Sequence, residues 1–298
     1  MLVAIMAIEL SPAFKTETET IPVAAVGGGQ GSGKDTAAEA AAELTGQGFF
    51  ETGGRYRFIG TEVVRLNPAL RSAVSTPEDV FLQAVAEFSE AELHQMVREG
   101  YDPLIASGDK EAIKAQLYSP DASNAASKTA KSAVARDVVK DTLREDIRAA
   151  HQREESGLIV VGRQLHNVVN TVDVAQLSLN MYITCTKEEA TRREMIRSNI
   201  DPHSERGKEM IALSRERDES DRNRPAHLDP VGHEAEVLDY NQLRTRGMVA
   251  REIGMMAAEQ GLQLLMDTTT IPKGEMIAET TEVMNGALLV ARRDTRLG

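Results

Sequence analysis

The sequence has one cysteine, no tryptophan, few aromatic residues and no excess of basic residues. Cys185 alone cannot form an intramolecular disulfide, and no Cys/His spacing indicates a structural zinc site. A chain without cysteine pairs is suited to the reducing cytoplasm, where we expect this protein. The apolar residues 1–10 are too few to cross a bilayer, and they lack the basic start of a signal peptide.

The charge of the chain excludes two further classes of partner. The 298 residues include 46 acidic and 34 basic side chains, which gives a formal net charge of −12. Nucleic acids and anionic membranes select basic protein faces, so we expect neither as a partner. A local basic cluster for a small phosphorylated ligand is still compatible with this charge. Because 41% of the residues are hydrophobic and only 4% are aromatic, we expect an aliphatic, methionine-rich core.

Short apolar segments alternate with helical patterns along most of the chain. The predicted strands are residues 22–26, 49–50, 158–161, 177–184 and 262–266. The predicted helices are residues 33–44, a helix from about Tyr56, 124–151 with a break near Ala135, 187–199, 206–221 and a closing helix from about Lys273. This alternation after an initial glycine turn predicts an α/β fold, in which a parallel sheet has helices on both faces.

Three segments stand apart from this alternation. Residues 61–120 are punctuated by prolines and repeat apolar residues at three-to-four spacing, so they predict a small helical insert. Residues 232–260 predict an additional helical insertion, and residues 1–20 predict an irregular N-terminal extension. The predicted core therefore comprises residues 21–60 and 121–298.

The densest group of glycines lies between the first predicted strand and the first predicted helix. It reads Gly28-Gly29-Gln30-Gly31-Ser32-Gly33-Lys34 and fits the pattern G-x-x-x-x-G-K. Free backbone N–H groups, the positive end of the helix dipole and the lysine together favour binding of phosphates. A flexible glycine hinge is the alternative interpretation. Asp35 follows the lysine in place of serine or threonine, and the hydroxyl of Thr36 is available for a phosphate or a magnesium-bound water.

Candidate ligands also follow the second and third predicted strands. Glu51, Thr52 and Arg57 come after the second strand, and Arg163 comes after the third. At the carboxyl ends of parallel strands an acid can hold Mg²⁺ through water, and an arginine can bind a phosphate bidentately. Polar residues in this place are also common in ordinary turns.

A later helix carries charged residues at helical spacing. Arg217, Asp221 and Arg224 are spaced i, i+4, i+7, and Arg192 and Arg193 lie one helix earlier. Arginine side chains of this kind suit the charge of a transferring phosphoryl group. The region is nearly charge-balanced, so the spacing alone also fits a solvated helix.

In this order the motifs resemble those of the cytidylate kinase family, the CMP/dCMP kinases among the P-loop nucleoside monophosphate kinases. The matching motifs are the glycine loop through Thr36, Glu51-Thr52-Gly53-Gly54-Arg55-Tyr56-Arg57, Ser123-Asn124-Ala125-Ala126-Ser127, Val161-Gly162-Arg163, the segment Arg217 to Arg224, and Met266-Asp267-Thr268-Thr269. The resemblance covers residues 22–285. It implies a P-loop NTPase sheet with an NMP-binding insert at 61–120 and a LID at about 187–225.

The resemblance also implies roles for individual residues. ATP would bind on the loop from Gly28 to Thr36, with Mg²⁺ near Thr36 and Glu51. The residues implied for the acceptor are Thr52, Arg57, Arg163 and Arg224 at its phosphate, Arg217 and Asp221 near its ribose, and Gln164 at its base. The residues implied for stabilising the transferring phosphate are Lys34, Arg192, Arg193 and Arg217.

Three functions are compatible with these patterns. We expect ATP-dependent phosphoryl transfer to a nucleoside monophosphate, first CMP or dCMP, by a monomer or homodimer. A kinase of another small metabolite is the second hypothesis, because Gln164 replaces an acid of the family motif and Tyr118 stands where the family has an arginine. The third is a nucleotide-binding module without turnover that uses residues 232–260 for a partner, because Val161 removes an acid and Asp35 adds one.

Overall fold

Six parallel strands form one sheet in this computed structural model, which describes residues 20–29, 31–162, 165–197, 200–201, 203–205, 207–208, 211 and 237–297. The strands are β1 Ile21–Gly28, β2 Gly48–Glu51, β3 Leu158–Val161, β4 Ala175–Thr184, β5 Val237–Asp239 and β6 Gln263–Asp267. Their order across the sheet is β2-β3-β1-β4-β6-β5, and each neighbouring pair is parallel. The predicted α/β fold is confirmed.

Helices cover both faces of this sheet and form a further layer beside it. In the described residues they are α1 Lys34–Thr45, α2 Thr52–Leu66, α3 Glu78–Ala86, α4 Glu90–Met96, a π-helical turn Val97–Tyr101, α5 Asp102–Ala106, α6 Lys110–Leu117, α7 Pro120–Thr129, α8 Ala133–Gln152, α9 Leu165–Val169, α10 Lys187–Arg197, α11 Tyr240–Thr245, α12 Ala250–Gln260 and α13 Lys273–Leu297. No helix among these residues is long and apolar enough to cross a membrane.

Strand β1 is apolar at almost every position because both of its faces are buried. Ala24 and Val26 belong to a core cluster with the alanines of α1 and with α12 and α13. Val23 and Ala25 belong to a second cluster with α8 and α9 on the opposite face. Successive side chains of a strand point to opposite faces, so a strand between two helical layers needs apolar residues throughout.

The parallel register brings the candidate loops to one edge of the sheet. Glu51 at the end of β2 pairs with Val161 at the end of β3, and Gly28 at the end of β1 pairs with Ile183 of β4. The chain runs from β1 to β2 on one side and later places β4 on the other side of β1. The crevice beside such a reversal, at the carboxyl ends of the strands, is where α/β sheets bind ligands.

Residues 61–120 are helical, as predicted, and contribute to a third cluster of buried side chains. Phe81, Leu93 and Val97 pack there with Ile59 of α2 and with Val138 of α8. The segment 61–120 therefore shares a hydrophobic core with α2 and α8.

The start of α2 differs from the prediction. The Gly53-Gly54 pair favoured a turn and a helix from about Tyr56, but α2 begins at Thr52. The reason for a glycine at position 54 is a close approach, since a Cβ there would lie 2.5 Å from the hydroxyl oxygen of Tyr101. The prediction of this boundary was wrong because glycine permits tight packing as well as turns.

The long helical region 124–151 breaks slightly earlier than predicted. Helix α7 ends at Thr129 and α8 begins at Ala133, where the Ser132 hydroxyl accepts a hydrogen bond from the backbone N–H of Ala135. Serine is a common cap at this position, and it fixes the start of the second helix. Most of the helix predicted at 206–221 lies outside the described residues.

The segment 237–260 adds to the sheet and to its helical cover. Its helices α11 and α12 lie within the region predicted to be helical, whereas the edge strand β5 was not predicted. Helix α12 crosses α13 very closely, since a Cβ on Gly254 would lie 2.0 Å from the carbonyl oxygen of Val283. A Cβ on Gly286 would likewise lie 2.1 Å from the carbonyl oxygen of Arg251. Two glycines therefore let these helices pack backbone against backbone.

Candidate active site

The glycine segment after β1 forms a tight turn at the N-terminus of α1. Gly31 and Gly33 have φ angles of 75° and 91°, left-handed values that favour glycine. The Ser32 hydroxyl donates a hydrogen bond of 2.9 Å to the carbonyl oxygen of Gly29 and closes the turn. Because α1 begins at Lys34, the unpaired N–H groups of its first turn point toward this loop. Gln30 lies outside the described residues.

Side chains from α10 and from the residue after β6 hold the carbonyl groups of the loop. Arg193 Nη1 donates to the carbonyl oxygen of Ser32 at 3.0 Å, and its Nη2 donates to that of Thr268 at 2.5 Å. The buried Thr268 hydroxyl lies 2.9 Å from the same Ser32 oxygen. A Cβ on Gly31 would lie 2.8 Å from the carbonyl oxygen of Ala190, so α10 packs directly on the loop. Carbonyl groups engaged in this way leave the N–H groups for an anion.

This support was not predicted from the sequence. The family resemblance includes Thr268 only as part of the segment that follows the last strand, and it implies that Arg193 stabilises the transferring phosphate. In the structure the guanidinium of Arg193 contacts the loop backbone, and its role at the transferring phosphate stays a prediction. The available sequence signal for Thr268 was its position directly after β6, the strand that lies next to β4.

Arg192, the other arginine of this pair, has different surroundings from Arg193. Its side chain is 58% exposed and makes two hydrogen bonds of 2.7 Å to Glu189. Arg193 Nε also donates to Glu189 at 2.7 Å. The hydrogen bonds from Arg192 and Arg193 lower the pKa of Glu189 to about 2. Arg192 is therefore the solvent-facing arginine of the two.

Lys34 is paired with the residue that follows it. Its Nζ lies 2.9 Å from Asp35 Oδ2, and the side chains are 15% and 48% exposed. The amine that the sequence predicts to contact phosphates is therefore paired with a carboxylate in this structure. Thr36 is exposed on the first turn of α1.

A second charged cluster lies at the end of β2. Glu51 is the last residue of this strand, and Arg57 Nη1 donates a hydrogen bond of 2.8 Å to Glu51 Oε1. Burial lowers the pKa of Arg57, but the charge and hydrogen bond of Glu51 outweigh it and raise the pKa above its usual value. Asp35 also contributes to this rise, so the charge beside the glycine loop acts on the second cluster.

Tyr118 of the inserted segment completes the second cluster. The guanidinium carbon of Arg57 lies 5.1 Å from the centre of the Tyr118 ring. The Tyr118 hydroxyl donates a long hydrogen bond of 3.4 Å to Glu51 Oε2. Glu51 and Arg57 were predicted from their position after the strand, whereas the contact of Tyr118 depends on the fold of the insert.

The other residues of the predicted acceptor site are partly described. Thr52 is buried, and its hydroxyl donates a hydrogen bond of 3.1 Å to the carbonyl oxygen of Val161, which joins α2 to the end of β3. The predicted residues that lie outside the described part of the chain are Arg163, Gln164, Arg217, Asp221 and Arg224. Their approach to Arg57 therefore remains a prediction.

The oxygen ligands at this edge suit a metal ion that is bound mainly by water and phosphate. No group of three or more His, Cys, Asp or Glu side chains in the described residues could hold a metal by itself. Magnesium usually keeps several waters and uses one or two protein oxygens together with substrate phosphates. The carboxylate of Glu51 is engaged by Arg57 and Tyr118, so it fits contact through water. The hydroxyl of Thr36 fits the same kind of contact.

Comparison with known proteins gives the same family along most of the chain. A family model described as cytidylate kinase matches residues 24–257. A cytidylate kinase from Serratia proteamaculans is 27% identical over 237 residues, which cover 79% of this chain and 94% of the relative. One from Salmonella arizonae is 27% identical over 248 residues, which cover 83% of this chain and 99% of the relative.

A solved structure shows only a weak likeness. The crystal structure of an uncharacterized protein from Eubacterium ventriosum aligns over 89% of this chain and 96% of that chain, with a TM-score of 0.37 and 10% identity. The family match begins in β1 and continues into α12, so it includes the glycine loop, the Glu51–Arg57 pair and the inserted segment. The chain belongs to the cytidylate kinase family.

Proposed function

We propose that the protein transfers the γ-phosphoryl group of ATP to a nucleoside monophosphate, with CMP and dCMP as acceptors, and releases ADP. One observation carries this proposal. The glycine loop with Lys34 and the Glu51–Arg57 pair follow β1 and β2 at the same edge of one parallel sheet. Membership of the cytidylate kinase family supports nucleoside monophosphate kinase activity in general, and the acceptor base is our more specific proposal.

The donor binds on the loop from Gly28 to Thr36. The backbone N–H groups and the helix end hold its phosphates, and Lys34 leaves Asp35 to contact the β- and γ-phosphates. When bound, magnesium would supply positive charge beside these phosphates. Thr36 and Glu51 are the residues that would hold its waters. Arg193 and Thr268 keep the loop in its binding conformation.

The acceptor binds next to Arg57. Its phosphate contacts the guanidinium, while Glu51 holds the Nη1 nitrogen of that group. We propose that Thr52, Arg163 and Arg224 complete the phosphate site. We further propose that Arg217 and Asp221 contact the ribose and that Gln164 contacts the base.

Transfer then needs position and charge rather than a covalent intermediate. An acceptor phosphate oxygen attacks the γ-phosphorus in line, and the bond to the bridging oxygen of ADP breaks. Lys34 stabilises the charge that develops on the transferring group and on ADP. Arg192 and Arg217 are the arginines that we propose to approach from the LID.

The segments have separate roles in this proposal. Residues 61–120 form the acceptor-binding insert, and residues 187–225 form a LID that excludes water from the donor phosphates. Residues 21–60 and 121–298 form the core. We propose that the enzyme acts in the cytoplasm as a monomer or homodimer on small nucleotides, without nucleic acid or membrane.

A panel of acceptors in a coupled assay of ADP release tests the proposal. We expect multiple turnovers with CMP and dCMP, and little response to AMP and GMP. Activity that appears only with another phosphorylated or hydroxyl metabolite would favour the second candidate function, which the presence of Tyr118 in place of the family's arginine supports. No ADP release above ATP hydrolysis with any acceptor would contradict both.

A further inference from the structure

Tyr118 lies where the inserted segment returns to the core. It follows the last residue of α6 and comes two residues before the start of α7. Its neighbour Leu117 is buried in the cluster of the insert, which fixes the backbone at this point. The Tyr118 side chain itself is not part of that cluster, and the residue is 48% exposed. The backbone of Tyr118 is therefore fixed by its buried neighbour, while its ring lies beside Arg57.

The phenol contacts both members of the Glu51–Arg57 pair. Its ring lies near the Arg57 guanidinium, and its hydroxyl donates to Glu51 Oε2, while Arg57 Nη1 uses Glu51 Oε1. Each carboxylate oxygen thus has a different donor.

Among the described residues, this arrangement leaves the Nε edge of the Arg57 guanidinium without a hydrogen-bond partner. Arg57 Nε is buried and has no hydrogen-bond partner among the described residues. A phosphate binds arginine best through two parallel N–H groups on one edge, and Nε with Nη2 forms such an edge. The Tyr118 ring and the Glu51 carboxylate restrict the rotation of the Arg57 guanidinium, so its Nε edge keeps one orientation.

We propose that Tyr118 is a positioning residue for the acceptor phosphate, because it holds Arg57 and Glu51 in the orientation that leaves the Nε edge of Arg57 free. This inference rests on the proposed function, in which Arg57 binds that phosphate. A cation–π contact and a hydrogen bond each contribute modestly, so the effect falls on acceptor affinity and not on the fold.

Calorimetric binding of CMP without ATP and steady-state kinetics with ATP and CMP test this inference together. For Tyr118→Ala we expect the Kd and the KM for CMP to rise about 5- to 30-fold. The KM for ATP and the thermal unfolding midpoint should stay at the wild-type values. Tyr118→Phe keeps the ring and should restore the CMP values to within about threefold of wild type. Ile105→Ala, an exposed side chain of the same insert, is the matched control and should change none of these quantities.

The outcomes separate this inference from the proposed function. A Tyr118→Ala variant with unchanged CMP affinity, or with equal losses for CMP and ATP, would overturn the positioning role even if the wild type is an active kinase. A wild type that binds CMP in a Tyr118-dependent way without turnover would support the positioning role and overturn the proposed reaction. A wild type that does not bind CMP would overturn both.

Discussion

The role of Arg193 gives the sharpest prediction, because its observed contacts with the glycine loop suggest a role in addition to the one that the family resemblance implies. Replacing Arg193 with alanine removes hydrogen bonds to the carbonyl oxygens of Ser32 and Thr268. A hydrogen bond from a charged donor contributes about 1.5–3 kcal/mol. The side chain is 22% exposed, so water will replace part of this loss. We therefore expect the bound form of the loop to lose about 2 kcal/mol, which weakens ADP binding about 30-fold.

Calorimetric titration of ADP without acceptor is the assay for this effect. Arg192→Ala is the matched control for ADP binding, because Arg192 lies next in the sequence and shares Glu189 but makes no described contact with the loop. Its proposed role is at the transferring phosphoryl group, which ADP lacks. We expect its ADP affinity to stay within about threefold of wild type, the range of an exposed ion pair. If Arg193→Ala binds ADP normally and loses only kcat, then Arg193 acts on the transition state and our account of the loop is wrong.

Three further predictions concern charged pairs. Asp35→Asn removes the partly exposed ion pair of Lys34 and should tighten ATP binding by about two- to fivefold. Unchanged or weaker ATP binding would contradict the idea that Asp35 competes with the phosphates for Lys34. Glu189 has a lowered pKa in the folded protein, so its contribution to stability is present above about pH 4.5 and is lost as the pH falls toward 2. Urea denaturation should therefore show Glu189→Gln to be less stable than wild type at pH 6, with a difference that shrinks below pH 4.5; a constant difference would refute this. Arg55→Met removes one ion-pair partner from the buried carboxylate of Asp146. We therefore expect the free energy of unfolding to fall by about 3 kcal/mol. A loss below about 1 kcal/mol would show that this ion pair does not stabilise the fold.

The sheet and the glycine loop could be predicted because each has a strong local signal. The predicted strand 158–161 agrees with β3. It is apolar throughout because both faces of the strand are buried, so polar and apolar residues do not alternate. The loop combines an unusual density of glycines with a lysine between a strand and a helix. Local chemistry alone therefore indicated where a phosphate would bind.

Other features depend on packing that no local pattern records. Gly54 was predicted to lie in a turn, but it lies within α2. The glycine is required there because Tyr101 of the insert packs closely against it. Strand β5 has only three residues and forms by parallel pairing with β6. Tyr118 and Thr268 reach the candidate site from segments far away in the sequence. These contacts follow from the tertiary fold, which a single sequence does not reveal residue by residue.

The most direct test of the central claim follows the γ-phosphate itself. ATP that carries a radiolabelled γ-phosphate is incubated with CMP and the wild-type protein, and the labelled products are separated. The account predicts that the label appears in CDP over many turnovers and that Lys34→Ala lowers this rate at least about a hundredfold. Label that appears only in inorganic phosphate, or a Lys34→Ala variant with the wild-type rate, would contradict it.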